Sequence, residues 1–434
     1  MRVVVYCSTF TITMKNQNLF QKIVIAALIA IFASSSFSQT LTKPKQETLL
    51  NGLKVLMWPD AKADKVSIKI RIHAGSAFDP QGKEGVMQLL ADNIFPNEGA
   101  REFFSENLGG SLDIVTNYDY IQVNASSKPE GLVSMLETLS TAISNPAIDK
   151  ETTIKLRTAL LAKVGALEAD PAYVADRAVA KRLFGTFPYG RPQLGSSGSL
   201  AKINFADLID AKARFLTADN ATIAVSGNFD SSLGYKAIRR GFGGWLKSDK
   251  KVPSTFRQPE APSAELLSIR FPGADKGFMR LALRGLARSD KDLVTSLIFT
   301  AIMENRLKAR VPASIVADAF VRNEPHSLPG MIVAGFSVSQ SETGSGNEKV
   351  IGFANIDPFT EAEFETAKNL IKADWSKNGP AILWLDADTY KFADAATYAH
   401  AADNITIAGV NAYAEKIRKS PVASVLVNNP QKAN

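Results

Sequence analysis

The 434-residue sequence contains a single cysteine, Cys7. One thiol can form no disulfide within the chain, so neither a disulfide framework nor a cysteine cluster for a metal enters the prediction. Cys7 lies far ahead of the first apolar run rather than behind it, which also excludes a lipid-anchored cysteine after a signal sequence. We predict that Cys7 is removed with the amino-terminal segment and that the mature chain has no thiol.

Long apolar runs are equally scarce. The one at residues 23–32 is too short to cross a bilayer as a helix. Two lysines precede it, and small residues ending at Ser38 follow it, which is the order of a signal peptide and its cleavage site. We therefore predict that residues 1–38 are a signal peptide, with Met14 a more natural start than Met1. The mature protein should be periplasmic or secreted, without a membrane anchor.

Histidine is nearly as rare as cysteine, since only His73, His326 and His400 occur. They lie in unrelated segments without ligand spacing, whereas zinc sites need clustered donors. We interpret each as a surface or strand histidine rather than a metal ligand. The formal net charge of +7 is modest, and the basic residues are scattered without interleaved aromatics, so nothing indicates nucleic-acid binding.

The sequence does contain a repeated pattern of elements. In the first half, the alternating residues 67–72 predict a strand, which is followed by Gly75, a polar loop and an apolar helix pattern. In the second half, residues 279–283 are followed by Gly285 and the same succession. This order predicts two homologous α/β domains. We place them at residues 39–246 and 264–434, joined by a Lys-, Pro- and Ser-rich linker at residues 247–263.

Five stretches match a known family pattern in the correct order. They are a polar strand, an Ala-Gly-Ser turn with a Gly-x-x-Gly helix entry, a Gly-Gly edge strand, a Pro-Tyr-Gly segment and a closing strand with a Gly-Asn turn, at residues 51–60, 72–85, 106–120, 187–195 and 220–228. Together they resemble the pitrilysin/insulinase-type zinc peptidases, whose metal motif is the inverted His-x-x-Glu-His. The resemblance implies an α+β fold of two homologous α/β domains. Each would be a mostly antiparallel sheet packed against helices, and the two would be arranged as a clam shell.

The segment that corresponds to the metal-binding helix of that family is present here, but its histidine ligands and its glutamate base are replaced. Where the family has His, Glu and His, this chain has Gln88, Ala91 and Asp92. An amide and a carboxylate suit Mg²⁺ or Ca²⁺ better than Zn²⁺, and two donors on one helix do not make a site. The resemblance puts Lys163 at the third ligand position, with Glu168 as the alternative if the register is shifted. Neither register supplies an imidazole, so we predict that zinc is absent and that no catalytic residue remains.

Two further family features are incomplete. The Gly-Gly strand of the family takes substrate peptides as an added strand, and its usual Asn-Ala is replaced here by Asp113 and Ile114. With Asn117, these are the predicted peptide-binding residues. The family also has an Arg-x6-Tyr pair that binds the substrate carbonyl. Arg310 matches its arginine, but the tyrosine position is Ala317, so we interpret Arg310 as a surface helix charge.

The resemblance therefore predicts a non-catalytic, exported pitrilysin-like protein. In this family, short two-domain chains commonly pair, and one partner can be degenerate while the other holds the zinc. A scaffold or regulatory subunit paired with a zinc-bearing paralogous peptidase is the leading hypothesis. The alternatives are a module that binds unstructured peptides, in the manner of a chaperone, and a structural subunit of an envelope complex. An active zinc endopeptidase is the least favoured alternative.

Overall fold

The computed structural model describes residues 42–248, 256–257, 259–311, 313, 316–339, 356–377, 379–392, 395, 398 and 400–429. These residues form two β-sheets, each packed against helices. The predicted signal peptide at residues 1–38, with Cys7 and Met14, lies outside the described residues. Part of the predicted linker at residues 247–263 also lies outside them.

The first sheet has the strand order β1-β2-β6-β3-β5-β4. The strand bounds are Lys45–Thr48 (β1), Lys54–Pro59 (β2), Val66–Ile72 (β3), Ser111–Thr116 (β4), Ile121–Ser127 (β5) and Ala221–Gly227 (β6). Strand β2 runs parallel to β6, and the other neighbouring pairs are antiparallel.

The second sheet has the strand order β7-β11-β8-β10-β9. The strand bounds are Leu266–Arg270 (β7), Gly277–Arg284 (β8), Phe320–Glu324 (β9), Met331–Val338 (β10) and Ala423–Asn428 (β11). Strand β7 runs parallel to β11, and the other pairs are antiparallel. With β1 set aside, the two sheets have the same topology, which confirms the predicted fold class of two similar, mostly antiparallel α/β halves.

The helices of the described residues fall into the same two halves. The first half contains Val86–Ile94 (α1), Gly99–Glu102 (α2), Leu132–Ser144 (α3), Lys150–Glu168 (α4), Pro171–Phe184 (α5), Ser197–Leu200 (α6), Phe205–Phe215 (α7) and Ser231–Phe242 (α8). The second half contains Leu293–Arg310 (α9), Glu361–Lys377 (α10), Pro380–Tyr390 (α11) and Ile407–Arg418 (α12). None of the helices in the described ranges is long and apolar enough to cross a membrane.

One face of each sheet packs against helices of its own half. Strand β3 shows why, because its side chains alternate between the two faces. Ile68, Ile70 and Ile72 are fully buried in a core shared with α1 and α3, whereas Lys69 and Arg71 lie on the opposite face. The apolar stripe of α1 faces the same core, as its sequence pattern predicts.

The other face of each sheet is covered by a helix from the other half. Helix α5 packs on β8 and β11, and its Ala175 and Val179 share an apolar cluster with Val425. Helix α11 packs on β6, and its Leu385 shares a cluster with Trp58. Both exchanged helices begin with a proline in the first turn, directly after a long helix. This reciprocal exchange joins the halves and places charged side chains between them.

Candidate functional site

Helix α1, which carries the positions of the metal motif, begins at a glycine with a constrained backbone. Gly85 has a φ of +107°, and a Cβ at this position would lie 2.5 Å from Leu200 Cδ2. The buried Asp79 carboxylate accepts hydrogen bonds from Gly85 N at 2.8 Å and Met87 N at 2.7 Å, which satisfies N–H groups of the first turn. Burial raises the pKa of Asp79 to about 7, although these two bonds oppose the shift.

The residues at the first and last positions of the motif bond to each other. Gln88 Nε2 donates to Asp92 Oδ1 at 2.8 Å, across one turn of α1. Burial raises the pKa of Asp92, whereas the bond from Gln88 and the positive charges of Lys163 and Arg101 act in the opposite direction. An amide, a carboxylate and a lysine do not fit a zinc ion, which is held by imidazole, thiolate and carboxylate donors.

The other predicted motif positions lie in different surroundings. Ala91 is fully buried within the core beneath the first sheet. Of the two candidates on α4, Lys163 is the one whose charge acts on Asp92. Glu168 instead accepts hydrogen bonds from Ser197 N at 3.1 Å and Ser197 Oγ at 2.5 Å, at the start of α6. Across the described ranges, no three His, Cys, Asp or Glu side chains are grouped as a metal ion would require.

The second-half positions of the Arg-x6-Tyr pair lie at the surface. Arg310 is the exposed last residue of α9. Ala317 is exposed in a short turn, Val316–Asp318. Residues 312, 314 and 315, which lie between them, are outside the described ranges.

The predicted peptide-binding residues lie on and beside an edge strand, because β4 is the last strand of the first sheet. Asp113 is exposed and Ile114 is half-buried. The side chain of Asn117 shapes the following turn, where its Oδ1 accepts from Asp119 N at 2.8 Å and Tyr120 N at 2.9 Å. The side-chain oxygen of Asn117 is therefore already used within the turn, while Asp113 and Ile114 lie along the open edge.

Two of the three histidines bridge the halves. His73, directly after β3, places Nε2 3.3 Å from Oδ2 of Asp388 on α11. His326, after β9, places Nδ1 3.0 Å from Oδ2 of Asp119 in the β4–β5 turn. The interpretation of these two as surface or strand histidines is wrong in this respect, because both side chains are only 16% exposed. His400 fits that interpretation, with its side chain 60% exposed.

Burial sets the protonation of the first pair. It lowers the pKa of His73; the Asp388 carboxylate opposes this shift, and Lys391 and Arg71 add to it. Burial also disfavours the charge of Asp388, but hydrogen bonds from His73 and Lys54 outweigh it and hold the pKa of Asp388 below its ordinary value. Asp388 therefore stays ionised, and burial disfavours the charged form of His73 in the folded chain.

We expect His73→Gln to weaken the loss of stability on acidification. Because the native pKa of His73 lies below the ordinary value of 6.5, the unfolded chain binds more protons below that pH. Stability is therefore lost as the pH falls from 6.5 toward the native pKa. Urea unfolding at pH 7 and pH 5.5 measures this dependence. Asp79, with its raised pKa, contributes the opposite slope in both proteins and cancels in the comparison.

The matched control for this prediction is His400→Gln. Because His400 is exposed, its replacement should change the free energy of unfolding by no more than about 0.5 kcal/mol at either pH. A His73→Gln protein with the same dependence as the wild type would contradict the assignment of this titration to His73.

A buried ionic network lies beside the histidine pair. Arg71, 1% exposed, donates from Nη1 to Asp386 Oδ1 of α11 at 2.6 Å, and Arg288 Nη2 donates to Asp386 Oδ2 at 2.8 Å. Arg71 Nε also donates to Gln122 Oε1 at 2.8 Å, and its guanidinium lies 4.0 Å above the ring of Tyr120. The face of the first sheet that is turned toward the second half is therefore closed by a helix and satisfied charges, with a cavity of about 510 Å³ beside them.

The sequence matches two family models that together cover most of the chain. Residues 54–197 match a model described as insulinase (peptidase family M16), and residues 202–371 match one described as peptidase M16 inactive domain. An uncharacterized zinc protease from Rickettsia bellii is 22% identical over 266 residues, which are 60% of this chain and 64% of that protein. Mitochondrial-processing peptidase subunit beta from Lentinula edodes is 22% identical over 353 residues, 75% of each chain.

The fold is also similar to that of solved structures. A protease from Helicobacter pylori superposes with a TM-score of 0.78 at 17% identity, covering 89% of this chain and all of the other. Such a likeness shows the two-domain fold. The match to the Rickettsia protein extends over less than two thirds of that protein's length.

Proposed function

Because the chain belongs to the insulinase family of peptidases (family M16), we propose that it is a non-catalytic member, a pseudo-peptidase, that serves as a scaffold or regulatory subunit for a zinc-bearing paralogue. The observation that carries the proposal is the Gln88–Asp92 hydrogen bond on α1, together with the effect of the Lys163 charge on Asp92. Catalytic zinc needs three good donors and an open position for water. Here the two positions on α1 hold an amide and a carboxylate, and the third holds the cation Lys163, or Glu168 if the register is shifted.

The general base is missing as well. In the inverted motif, a glutamate beside the second histidine activates the metal-bound water. Ala91 has no group that can accept a proton, and it is packed within the core. No step of hydrolysis can therefore be derived from the side chains of α1.

Two observations support pairing and export. The relative from Lentinula edodes is described as a subunit of a processing peptidase, which supports a paired arrangement in general. The residues up to Ser38 have the pattern of a signal peptide, which supports a periplasmic or secreted location. The open edge of β4 favours the second candidate function, a peptide-binding module, because such an edge can accept an added strand.

The test uses the purified chain alone and together with the intact His-x-x-Glu-His member of the family from the same organism. Alone, we expect no stoichiometric zinc and no cleavage of an unstructured peptide. Together, we expect a stable complex by sedimentation and faster hydrolysis than by the zinc-bearing chain alone, which is the matched control.

Two results would overturn parts of the proposal separately. About one zinc per chain, lost in Asp92→Ala and accompanied by hydrolysis, would show an active enzyme. Separate sedimentation of the two chains, with unchanged activity of the zinc-bearing one, would reject the pairing and leave peptide binding along β4 as the function to test.

A further inference from the structure

A second, smaller pocket of about 310 Å³ lies away from α1. It is lined by helix α5, the loop that follows α5, the β4–β5 turn and the segment after β9. Its lining includes two charged side chains, one histidine and three aromatic rings, which are Arg177, Glu324, His326, Tyr118, Phe184 and Tyr189. The proposed pairing with a zinc-bearing chain uses none of these residues.

Arg177 is a cation with only neutral partners. Its Nη1 donates to Tyr118 Oη at 3.4 Å, and its Nη2 donates to the carbonyl oxygen of Gly190 at 3.1 Å. Its Nε is buried and has no hydrogen-bond partner, and among the residues that the structure describes no carboxylate pairs with it. A half-buried guanidinium at a pocket wall without an anionic partner is suited to a carboxylate.

His326 is held in one orientation at the same pocket. The carboxylate of Asp119 lies 3.0 Å from Nδ1, and Ser327 N also donates to Asp119 at 3.1 Å. Burial of Asp119 disfavours its charge, but these bonds outweigh burial and hold the pKa of Asp119 below its ordinary value. The ionised carboxylate requires a proton on Nδ1, so Nε2 is the ring nitrogen left for a ligand.

Glu324 adds a negatively charged group to the pocket, which also contains the positively charged Arg177. Its closest cation is Arg322, whose Nε lies 3.6 Å from Oε1, and its side chain is 31% exposed. Because the pocket holds separate positive and negative groups, it can accept a ligand that carries both charges. A carboxylate would pair with Arg177, and an ammonium group would meet Glu324 and Nε2 of His326.

The wall between these charges is aromatic. The rings of Tyr118 and Tyr189 lie edge to face at 5.2 Å, and those of Phe184 and Tyr189 at 6.0 Å. His326 lies 4.5 Å from Tyr189. Such a wall favours an apolar or aromatic body that stacks edge to face or offset. The volume matches the small end of ligand pockets, the size of one residue rather than of an extended peptide.

We propose that this pocket binds the α-carboxylate of a residue with a large apolar or aromatic side chain. Two sources share that chemistry, a free amino acid and the carboxyl-terminal residue of a peptide. The free amino acid adds an ammonium group that meets Glu324, whereas a peptide presents an amide at that position.

The experiment is calorimetric titration of the full purified chain with three probes: phenylalanine, N-acetylphenylalanine and phenylalaninamide. We expect at least one of the two carboxylate probes to bind about tenfold or more tightly than phenylalaninamide, because the amide cannot pair with Arg177. Arg177→Gln should remove this preference. The matched control, Arg240→Gln on the surface of α8, should keep it.

The probes also distinguish the two sources. Equal binding of phenylalanine and N-acetylphenylalanine supports a peptide carboxyl terminus. Tighter binding of phenylalanine, with the difference lost in Glu324→Gln, supports a free amino acid. Binding of phenylalaninamide as tight as that of the two acids, or no binding of any probe at millimolar concentration, would overturn the proposal. The comparison of the three probes on the wild-type chain stands even if a variant fails to fold.

Discussion

Asp386→Ala should lower the free energy of unfolding by about 3–5 kcal/mol, the typical effect of removing one partner from a buried ion pair. The carboxylate accepts from Arg71 at 2.6 Å and from Arg288 at 2.8 Å. Without the Asp386 carboxylate, the Arg71 side chain, which is 1% exposed, has no anionic partner. The guanidinium of Arg288 loses the same partner. Urea unfolding at pH 7 measures the change.

The control is Asp374→Ala on α10, where an exposed carboxylate pairs with Lys377. We expect a change within about 0.5 kcal/mol there, because exposed pairs contribute little. The double variant Arg71→Met/Asp386→Ala should be more stable than Asp386→Ala alone, since the stranded charge is removed. If Asp386→Ala lowers the free energy of unfolding by no more than the control does, the buried charge of Arg71 does not need the Asp386 carboxylate.

A second ion pair, formed by a buried arginine and a partly exposed aspartate, occupies the reciprocal place in the fold. Arg280 on β8 donates from Nε to Asp176 Oδ1 on α5 at 2.5 Å. Each half therefore supplies an arginine on its sheet and an aspartate on the helix that it exchanges. This arrangement ties the packing of each sheet to the other half, so we expect the two halves to unfold together.

The fold was largely predictable from the sequence because its signals are local and repeated. The alternation in residues 67–72 and the recurrence of strand, glycine, polar loop and helix predict β3, β8 and the helices after them. The helix exchange was not predictable in this way. Arg71 and Asp386 are 315 positions apart, and neither lies in a pattern that points to the other.

The histidines show the same limit at the level of side chains. Ligand spacing bears only on metal binding, and it says nothing of pairs formed between the halves. His73 meets Asp388, and His326 meets Asp119, 207 positions away. An aspartate in a hairpin turn and a histidine after an edge strand have no joint sequence signature. The packing of the two halves against each other brings these residues together.

The structure also changes how a zinc site should be restored in α1. The sequence suggests four substitutions: Gln88→His, Ala91→Glu, Asp92→His and Lys163→Glu. Ala91 is fully buried in the core, so a glutamate at this position would place an unpaired carboxylate among apolar side chains. Such burial is costly unless the group is paired or neutralised. We therefore expect the variant with four substitutions to lose stability, whereas the variant without Ala91→Glu should fold.

That triple variant should take up about one zinc per chain, where the wild type should take up none. The Gln88–Asp92 bond shows that these two side chains already meet on one face of α1, and the charge of Lys163 acts on Asp92 from the next long helix. Two imidazoles one turn apart and a carboxylate from the next helix supply the three ligands of the family's site. Elemental analysis and a zinc-dependent rise in melting temperature measure the uptake. The control Gln88→His/Lys163→Glu has one imidazole fewer and should bind zinc much more weakly.

Hydrolysis by the triple variant should stay poor, because the general base is still missing and the predicted tyrosine position is Ala317. A single lost oxyanion donor typically costs about 2.7–4 kcal/mol. A triple variant that folds but takes up no zinc would show that Lys163 is not the third ligand position, and Glu168 would have to be moved into that role instead.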